Sequence, residues 1–381
     1  MTNVATATHV FNDTAGTPAA ALTVNAKYPG AFGNTLKVSV QTNIANGTLK
    51  DVTVYEGTAV REVFTGANND DIVNMVNLLG SDYITVSLSG TGGRVLANVT
   101  ATALTGGDSG RASLVSSDFV SGWTGTEGEV YAAIAVATED PSIHTAFCAW
   151  VKDRRDGGYR IRGFVGCAQA TAFADKLTAV SGFNHEGFHY VANDYVTQEG
   201  VALTPSWTAF TAAALSAVQS YHSLTNYTIA GATQGTIGLA TSEYKLAITR
   251  GLFVWSWSGD RLYVEAGINT LQPDSQVAPK SPDWRKMRYI ASQDWLAEEL
   301  WLALMDDYVG KVENDERGRQ EAIRIANEVI ARAVQLRILD GGQDNTAYLD
   351  DRYDSTKDRV YVAVQGYFVD AIEKFFFTAV I

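Results

Sequence analysis

Residues 183–190 read FNHEGFHY and contain HEGFH, which has the letters of the zinc-peptidase motif H-E-x-x-H. That motif works because two histidines at i and i+4 share one helix face and bind zinc, while the glutamate acts as general base. Gly187 interrupts the stretch, and glycine costs about 1 kcal/mol relative to alanine inside a helix. Residues 189–193 are rich in aromatic and β-branched types, which is typical of a strand. We therefore expect His185 and His189 at a turn that runs into a strand.

A third metal ligand is also missing at the usual spacing. The positions that metzincins fill with glycine and histidine hold Ala192 and Tyr195 in this chain. A zinc-dependent hydrolase that uses His185, Glu186 and His189 is kept as an alternative hypothesis. Metal analysis with a His185→Ala assay would test it.

The stretch 107–110, GDSG, matches the nucleophile motif of chymotrypsin-like proteases. That order requires a histidine and then an aspartate upstream of the serine. His9 is the one histidine that precedes Ser109, and it lies in what reads as a loose leader. The sequence predicts a surface loop between strands here, with no catalytic residue in it.

Composition limits the remaining function classes. The chain has 381 residues, 46% of them hydrophobic and 19% charged, which indicates two or three globular domains. A formal net charge of −13 disfavours nonspecific nucleic-acid binding. Cys148 and Cys167 lie in apolar stretches at no metal-like spacing, so we expect buried free thiols and a reducing compartment. No signal peptide and no membrane-spanning segment are predicted.

Alternating patterns divide the chain into three parts. Residues 20–115 hold short period-2 strands at 22–24, 36–40, 52–55, 84–88 and 95–99, with one helix near 70–79 capped by Asn69 or Asp70. Residues 128–270 alternate strands with helices, including a buried packing helix that Thr204 caps and Pro205 begins. Two strong helices follow, at 292–309 and 315–339, the second with Asn314 as its cap.

The C-terminal strand raises a physical problem. Residues 371–381, AIEKFFFTAVI, are hydrophobic on both faces, and an uncovered strand of this kind is an aggregation hazard. Either the strand lies in the sheet of its own domain, or it pairs with another subunit by β-augmentation. The sequence leaves both arrangements open.

A series of segments in order resembles one known family. These are KYPGAFGNTLKVSV (27–40), GWTGTEG (122–128), HSLTNYTIAGA (222–232), TSEYKLAITRGLFVW (241–255), VEAGINTL (264–271), WRKMRYIASQDWLAEEL (284–300) and YVGKVENDERGRQEAI (308–323). Together they look like the tail sheath protein of contractile phages, and the likeness is greatest to the sheaths of Gram-positive phages and phage-like bacteriocins. It covers nearly the whole chain.

The resemblance implies a structural protein without enzymatic activity or cofactors. Sheath subunits form stacked hexameric rings around a tail tube, and contraction drives the tube through the host envelope for genome delivery. The implied partners are further copies of the chain, the tail tube protein, and the baseplate and tail terminator proteins, with no nucleic acid and no membrane insertion. The implied location is the virion tail, assembled in the host cytoplasm.

The resemblance also implies a fold and a set of interface residues. We expect an α+β multidomain protein with a mostly-β outer, protruding domain (1–118), an α/β middle domain (119–280) and a C-terminal α+β inner domain (281–381) that carries a terminal exchange strand. The predicted strand-exchange residues are Val360, Val362, Val364, Phe375, Phe377, Ala379 and Ile381. The candidate tube contacts are Arg317, Arg319 and Arg324, which would otherwise form a solvated face paired with Glu313, Glu316 and Glu321.

Two further expectations come from the same resemblance. Family members begin with an arm and a further segment, so we expect roughly 80 to 100 residues to be absent before the β unit, and we expect that the chain alone does not polymerise. The sheath of a bacteriocin or injection particle, and a host-binding module in residues 1–118, are kept as alternatives.

Overall fold

The structure is a computed structural model that describes residues 4–275 and 280–373. Its backbone divides into two compact units, Met1–Phe119 and Val120–Ile381. Helices and strands are mixed along the chain, which confirms the predicted α+β class. Four short 3₁₀ helices connect longer elements, at Ala31–Thr35, Arg111–Ser113, Pro273–Ser275 and Pro282–Arg285.

The first unit contains seven strands and one helix. They are β1 (Thr8–Asn12), β2 (Ala20–Ala26), β3 (Leu36–Thr42), β4 (Lys50–Glu56), β5 (Ala59–Gly66), α1 (Asn69–Leu79), β6 (Ile84–Leu88) and β7 (Val99–Ala103). The strands form two antiparallel sheets, ordered β1-β2-β6 and β5-β4-β3-β7. Alternate residues of both sheets are buried in one core, which Ile72 and Val76 of α1 join. This arrangement is what period-2 patterning predicts for sheets with one buried face.

Three details of the first unit differ from the prediction. His9 belongs to strand β1, which pairs with β2 and is not a loose leader. The strand expected at 95–99 begins at Val99 instead. The cap of α1 is Asn68, whose side chain accepts from the Asp71 N–H, because Asn69 is buried and donates to the Ala21 carbonyl.

The second unit begins around α2 (Ser116–Thr124), a helix that contains the division between the units. Its further helices are α3 (Pro141–Asp156), α4 (Phe173–Phe183), α5 (Pro205–Gln219), α6 (Thr241–Arg250), α7 (Met287–Asp307) and α8 (Glu316–Gln335). Its strands are β8 (Ala133–Val136), β9 (Arg162–Gly166), β10 (Phe188–Val191), β11 (Tyr195–Val196), β12 (Ala202–Leu203), β13 (Thr228–Ile229), β14 (Thr233–Gln234), β15 (Leu252–Phe253), β16 (Trp255–Trp257), β17 (Leu262–Val264), β18 (Thr346–Leu349) and β19 (Val362–Gln365).

Four parallel strands form the central sheet of this unit, in the order β15-β10-β9-β8. Two glycines of β9 identify its faces. A Cβ atom on Gly163 would meet the side chain of Val151 in α3, whereas one on Gly166 would meet the Pro205 carbonyl of α5. Because strand positions three apart point to opposite sides, α3 covers one face of the sheet and α5 covers the other.

The C-terminal part of the second unit places two helices against a small sheet. Strands β18 and β19 pair antiparallel, α8 packs against both strands, and α7 packs against α8. The shared core contains Leu296 of α7, Ala326, Ile330 and Ala333 of α8, and Ala347 of β18. Two smaller antiparallel sheets are ordered β12-β11-β14 and β13-β17-β16, and their strands come from the sequence between β10 and α7.

Candidate assembly site

The HEGFH stretch is a turn followed by a strand, as the sequence predicts. His185 and Glu186 precede β10, and His189 lies within it. The two imidazoles therefore do not share a helix face, which is the geometry that the zinc-peptidase motif requires. Within the described ranges, no three His, Cys, Asp or Glu side chains are grouped as metal ligands would be. The zinc interpretation of this motif is wrong on geometric grounds.

Both histidines are held as neutral groups by burial. The His185 Nδ1 accepts from the Gly187 N–H at 3.0 Å, and burial lowers the pKa of His185 to about 4. The His189 Nδ1 donates to the Gly163 carbonyl at 3.2 Å, and the ring stacks on Phe164 with centroids 4.2 Å apart. Burial lowers the pKa of His189 to about 3. These are packing histidines of the central sheet.

The other chemically suggestive residues are equally ordinary. Ser109 is exposed in a loop, as predicted, but the loop runs from strand β7 to helix α2 and not between two strands. Cys148 and Cys167 are free and buried, which confirms the prediction, and burial raises the pKa of each thiol to about 11. None of the helices that the structure describes has the length and apolar character of a membrane span.

The C-terminal sheet contains the predicted exchange residues that the structure describes. Val362 and Val364 lie in β19, and their side chains pack against the core that α7 and α8 share. Val360 is half-buried just before the strand. Because both β19 valines point to their own core, an incoming strand would meet the main chain of β19 more than these side chains.

The register shows which main-chain groups face outward. Ala347 lies opposite Val364, and its N–H donates to the Asn327 side chain of α8 at 3.0 Å. Facing residues of an antiparallel ladder alternate between hydrogen-bonded and non-bonded pairs, so this pair and the Leu349/Val362 pair are non-bonded. The N–H and C=O groups of Val362 and Val364 therefore point away from β18. Among the described residues this sheet has two strands, so the outer edge of β19 is open to a third.

Charged contacts fix the last described residues. The Glu373 carboxylate accepts from the hydroxyls of Ser223 at 3.3 Å and Thr225 at 3.0 Å. Lys286 forms ion pairs with Asp370 and, at 3.4 Å, with Glu373. The remaining predicted exchange residues, Phe375, Phe377, Ala379 and Ile381, lie outside the described residues.

The three arginines proposed as tube contacts differ in their surroundings. Arg324 is paired with Glu321 and Glu328 on the same helix face. Arg319 is half-buried, and its guanidinium donates to the Asn314 side chain at 2.8 Å. Arg317 is exposed. Arg324 thus has the intrahelical pairing that a solvated face would give, while Arg317 is exposed and Arg319 is half-buried.

Two features of this region carried no specific sequence signal. The last turns of α7 and the loop after it leave four large apolar side chains exposed, Trp301, Leu302, Met305 and Val309. Arg155 of α3 forms a bidentate ion pair with Asp294 of α7, at 2.8 and 3.0 Å, with both side chains almost buried. The periodicity of α7 identified its apolar residues but not which of them stay exposed.

Three sequence families match consecutive parts of the chain. The phage tail sheath protein beta-sandwich domain matches residues 3–109, the central domain matches 112–270, and the C-terminal domain matches 279–381. This chain belongs to the phage tail sheath protein family. The family predicted from the sequence is confirmed, and with it a structural role in a tail sheath.

The chain is also similar to individual proteins. The uncharacterized protein YqbK of Bacillus subtilis strain 168 is 24% identical over 288 residues, a match that spans 72% of this chain and 58% of that protein. The sheath tail protein of Desulfitobacterium hafniense has the same fold, with a TM-score of 0.69, 22% identity, and coverage of 96% of this chain and 80% of that one. The sheath tail protein Lin1278 of Listeria innocua is similar with a TM-score of 0.55, 21% identity, and coverage of 96% and 82%.

Proposed function

We propose that this sheath protein polymerises as stacked hexameric rings around a tail tube and contracts to drive the tube through the host envelope for genome delivery. The observation that carries the proposal is the open edge of β19 in a chain whose sequence continues with an apolar segment. An exposed edge and a spare apolar strand are complementary, since a donated strand satisfies the main chain of one and covers the other.

Strand donation suits a protein that must rearrange without dissociating. Each main-chain hydrogen bond contributes on the order of 1 kcal/mol, so a short added strand holds two subunits together by several such bonds. The tethered bodies can rotate while the joint persists. We assign Phe375, Phe377, Ala379 and Ile381 to the donated strand, and Val360, Val362 and Val364 to the acceptor.

The role of this subunit is structural and not enzymatic in our proposal. In open α/β sheets, ligands bind where the strand order reverses. The central sheet keeps the chain order from β8 to β15 without a reversal, and the start of α5 packs directly on Gly166. Both features favour a structural role for this sheet over the binding of a substrate in a crevice.

We further propose three domains, with 1–118 as the outer, 119–280 as the middle and 281–381 as the inner domain. The compact unit Met1–Phe119 and the consecutive family matches support this division. The partners would be further copies, the tube protein, and the baseplate and terminator proteins, in a virion tail assembled in the host cytoplasm. Arg317, Arg319 and Arg324 are the candidate tube contacts, and the accessible Arg317 is the strongest of them.

The substitution Val364→Pro tests strand donation directly. It removes an N–H that points away from β18, and proline is tolerated on edge strands, so the β18–β19 ladder should survive. We expect the wild-type chain, produced together with the tube protein, to form sheathed tubes in negative-stain micrographs. The Val364→Pro chain should form few or none.

Val364→Thr is the matched control, because it keeps the N–H and the branched shape, and it should assemble like the wild type. Circular dichroism must show that both variants are folded. Normal tubes from a folded Val364→Pro chain would refute donation at this edge. Failure of the wild type to enclose the tube protein would refute the sheath proposal itself.

A further inference from the structure

Helix α5 has an uncovered apolar face on its outer side. Its exposed positions follow helical spacing, and three large side chains among them, Trp207, Phe210 and Val218, are 53%, 41% and 78% exposed. Ala214 and Ala217 complete the stripe. Along Pro205–Gln219, all of which the structure describes, no side chain is charged. We call these five residues the outer face of α5.

This face is not a consequence of loose packing. On the inner side, Ala209, Ala212 and Ala213 are buried against the central sheet, and Gly166 lets the start of the helix approach the strand backbone. Its polar residues are uncharged, and a helix without a charged face is characteristic of elements buried on every side. The Trp207 and Phe210 rings lie 5.7 Å apart and form one continuous apolar surface. The outer face therefore fits an apolar partner.

The described chain ends beside this helix. Ser223 lies four residues after Gln219, the last residue of α5. Its hydroxyl donates to the Glu373 carboxylate. A hydrogen bond from the His222 N–H to the Gln219 carbonyl, at 2.8 Å, turns the chain tightly between them. Glu373 is thus held near the C-terminal end of α5, where Val218 is the last residue of the outer face.

The sequence beyond Glu373 matches the outer face in chemistry and in length. Residues 374–381 read KFFFTAVI, with one charge at the start and apolar residues through most of the rest. Eight extended residues reach about 26 Å, and the 15 residues of α5 span about 22 Å. The segment can therefore run along the whole outer face from its point of departure at Glu373.

We propose that, in the free subunit, residues 374–381 bind the outer face of α5 of the same chain. This goes beyond the sheath function, because it concerns the unassembled protein and needs no neighbour. It also gives the apolar terminus a covered position before assembly, when an open strand would promote aggregation. In the sheath, the segment would leave α5 to reach the edge of a neighbouring β19.

Cross-linking of the full chain tests the proposal. In the variant with Val218→Cys and Phe375→Cys, a short bismaleimide should join the two new cysteines within one chain at low protein concentration. Cys148 and Cys167 are buried, so the wild type should give no product. The matched control combines Phe375→Cys with Leu246→Cys on α6, an exposed apolar residue of a helix whose neighbours are α4 and β15.

An intrachain product for Val218 and none for Leu246 is the expected result. Equal yields for both pairs, no product for Val218, or a product that joins two chains would each overturn the proposal. The cross-linking result does not depend on tube formation. The binding of residues 374–381 to α5 can therefore be refuted while the sheath function is supported, and the sheath function can be refuted while this binding is supported.

Trypsin provides a second measurement, because it cleaves after Lys374 and releases the terminal peptide. Val218→Asp places a carboxylate against the bound segment and should speed this release roughly tenfold, the effect of losing one apolar contact. Leu246→Asp should leave the rate unchanged. Equal release from wild type and Val218→Asp would overturn the proposal even if cross-linking succeeded.

Discussion

The central sheet and the C-terminal sheet of the second unit are completed to different degrees. In the central sheet, every residue of β9 and β10 is buried, and helices cover both faces. In the C-terminal sheet, all four residues of β19 are half-buried, and one strand edge is open among the described residues. Both sheets pack against helices, so the difference lies in the strand edge that the described residues leave unpaired in the C-terminal sheet.

The difference separates two tasks within one chain. A sheet whose strands and faces are complete needs nothing from a neighbour and can serve as a rigid body. A sheet edge that no described residue pairs with has a defined place for a further strand, because its register and main-chain groups are already set. Substitutions in the central sheet should therefore change stability, whereas those at the β19 edge should change assembly.

The largest expected effect is at the buried ion pair that joins α3 to α7. Arg155→Ala leaves the Asp294 carboxylate buried without its partner, so we expect the free energy of unfolding to fall by about 3–5 kcal/mol in urea titrations. The double variant Arg155→Met with Asp294→Leu removes both charges and should recover most of that loss. If Arg155→Ala is as stable as the wild type, the ion pair between α3 and α7 does not stabilise this part of the unit.

Gly166→Ala should have the next largest effect. The new methyl group would meet the Pro205 carbonyl, so α5 must move away from the sheet, at a cost of about 1–3 kcal/mol of unfolding free energy. Gly182→Ala in α4 is the control, since a Cβ there has no atom within 4 Å and should stabilise the helix by about 0.5–1 kcal/mol. Equal effects of the two changes would contradict close packing at Gly166.

A smaller effect should appear when the pH is lowered. The folded pKa of His189 is about 3, far below the unfolded value of about 6.5, so the unfolded chain binds a proton that the folded chain does not. Stability is full above pH 6.5 and is lost as the pH falls towards 3, by about 2 kcal/mol at pH 5.

His189→Phe keeps the ring stack on Phe164 and should reduce the difference in unfolding free energy between pH 7 and pH 5 by about that amount. His222→Gln, at an exposed histidine, is the control for the loss of one histidine. An unchanged pH dependence in His189→Phe would show that this histidine is not held neutral by burial.

The smallest effect on stability should come from the exposed face of α8. Arg317→Ala should leave the unfolding midpoint unchanged, because the side chain is exposed. If Arg317 contacts the tube, the same change should weaken co-sedimentation of the chain with tubes, and more strongly as salt is lowered. Arg352→Ala, in an exposed loop, is the control. If both variants bind tubes equally well, Arg317 belongs to a solvated helix face and does not contact the tube.

Local sequence signals predicted elements well and their exact ends less well. Asn314 was expected to cap α8, yet Asp315 does so, because the Asn314 side chain donates to the carbonyls of Lys357 and Arg359. Pro205 begins α5 as predicted, but the Thr204 hydroxyl bonds to Ser206 and not to the helix N-terminus. In each case a partner distant in sequence or a neighbouring hydroxyl competed with the local preference.

Long-range contacts account for what the sequence did not predict at the site. The apolar type of Val362 and Val364 indicated a strand, but the direction of their main-chain groups depends on pairing with β18 and on Asn327. The Arg155–Asp294 pair joins residues 139 positions apart and leaves no periodic signal. The exposed positions of α5 were likewise expected to be buried, because composition alone does not say which face has a cover.

The contact between Gly166 and Pro205 has a mechanical consequence. Backbone meets backbone there, with no side chain between helix and sheet that could bend or change rotamer. A force applied to α5 would therefore be transmitted to the strands with little local deformation. If the sheath contracts as we propose, such stiffness would confine deformation to the contacts between subunits.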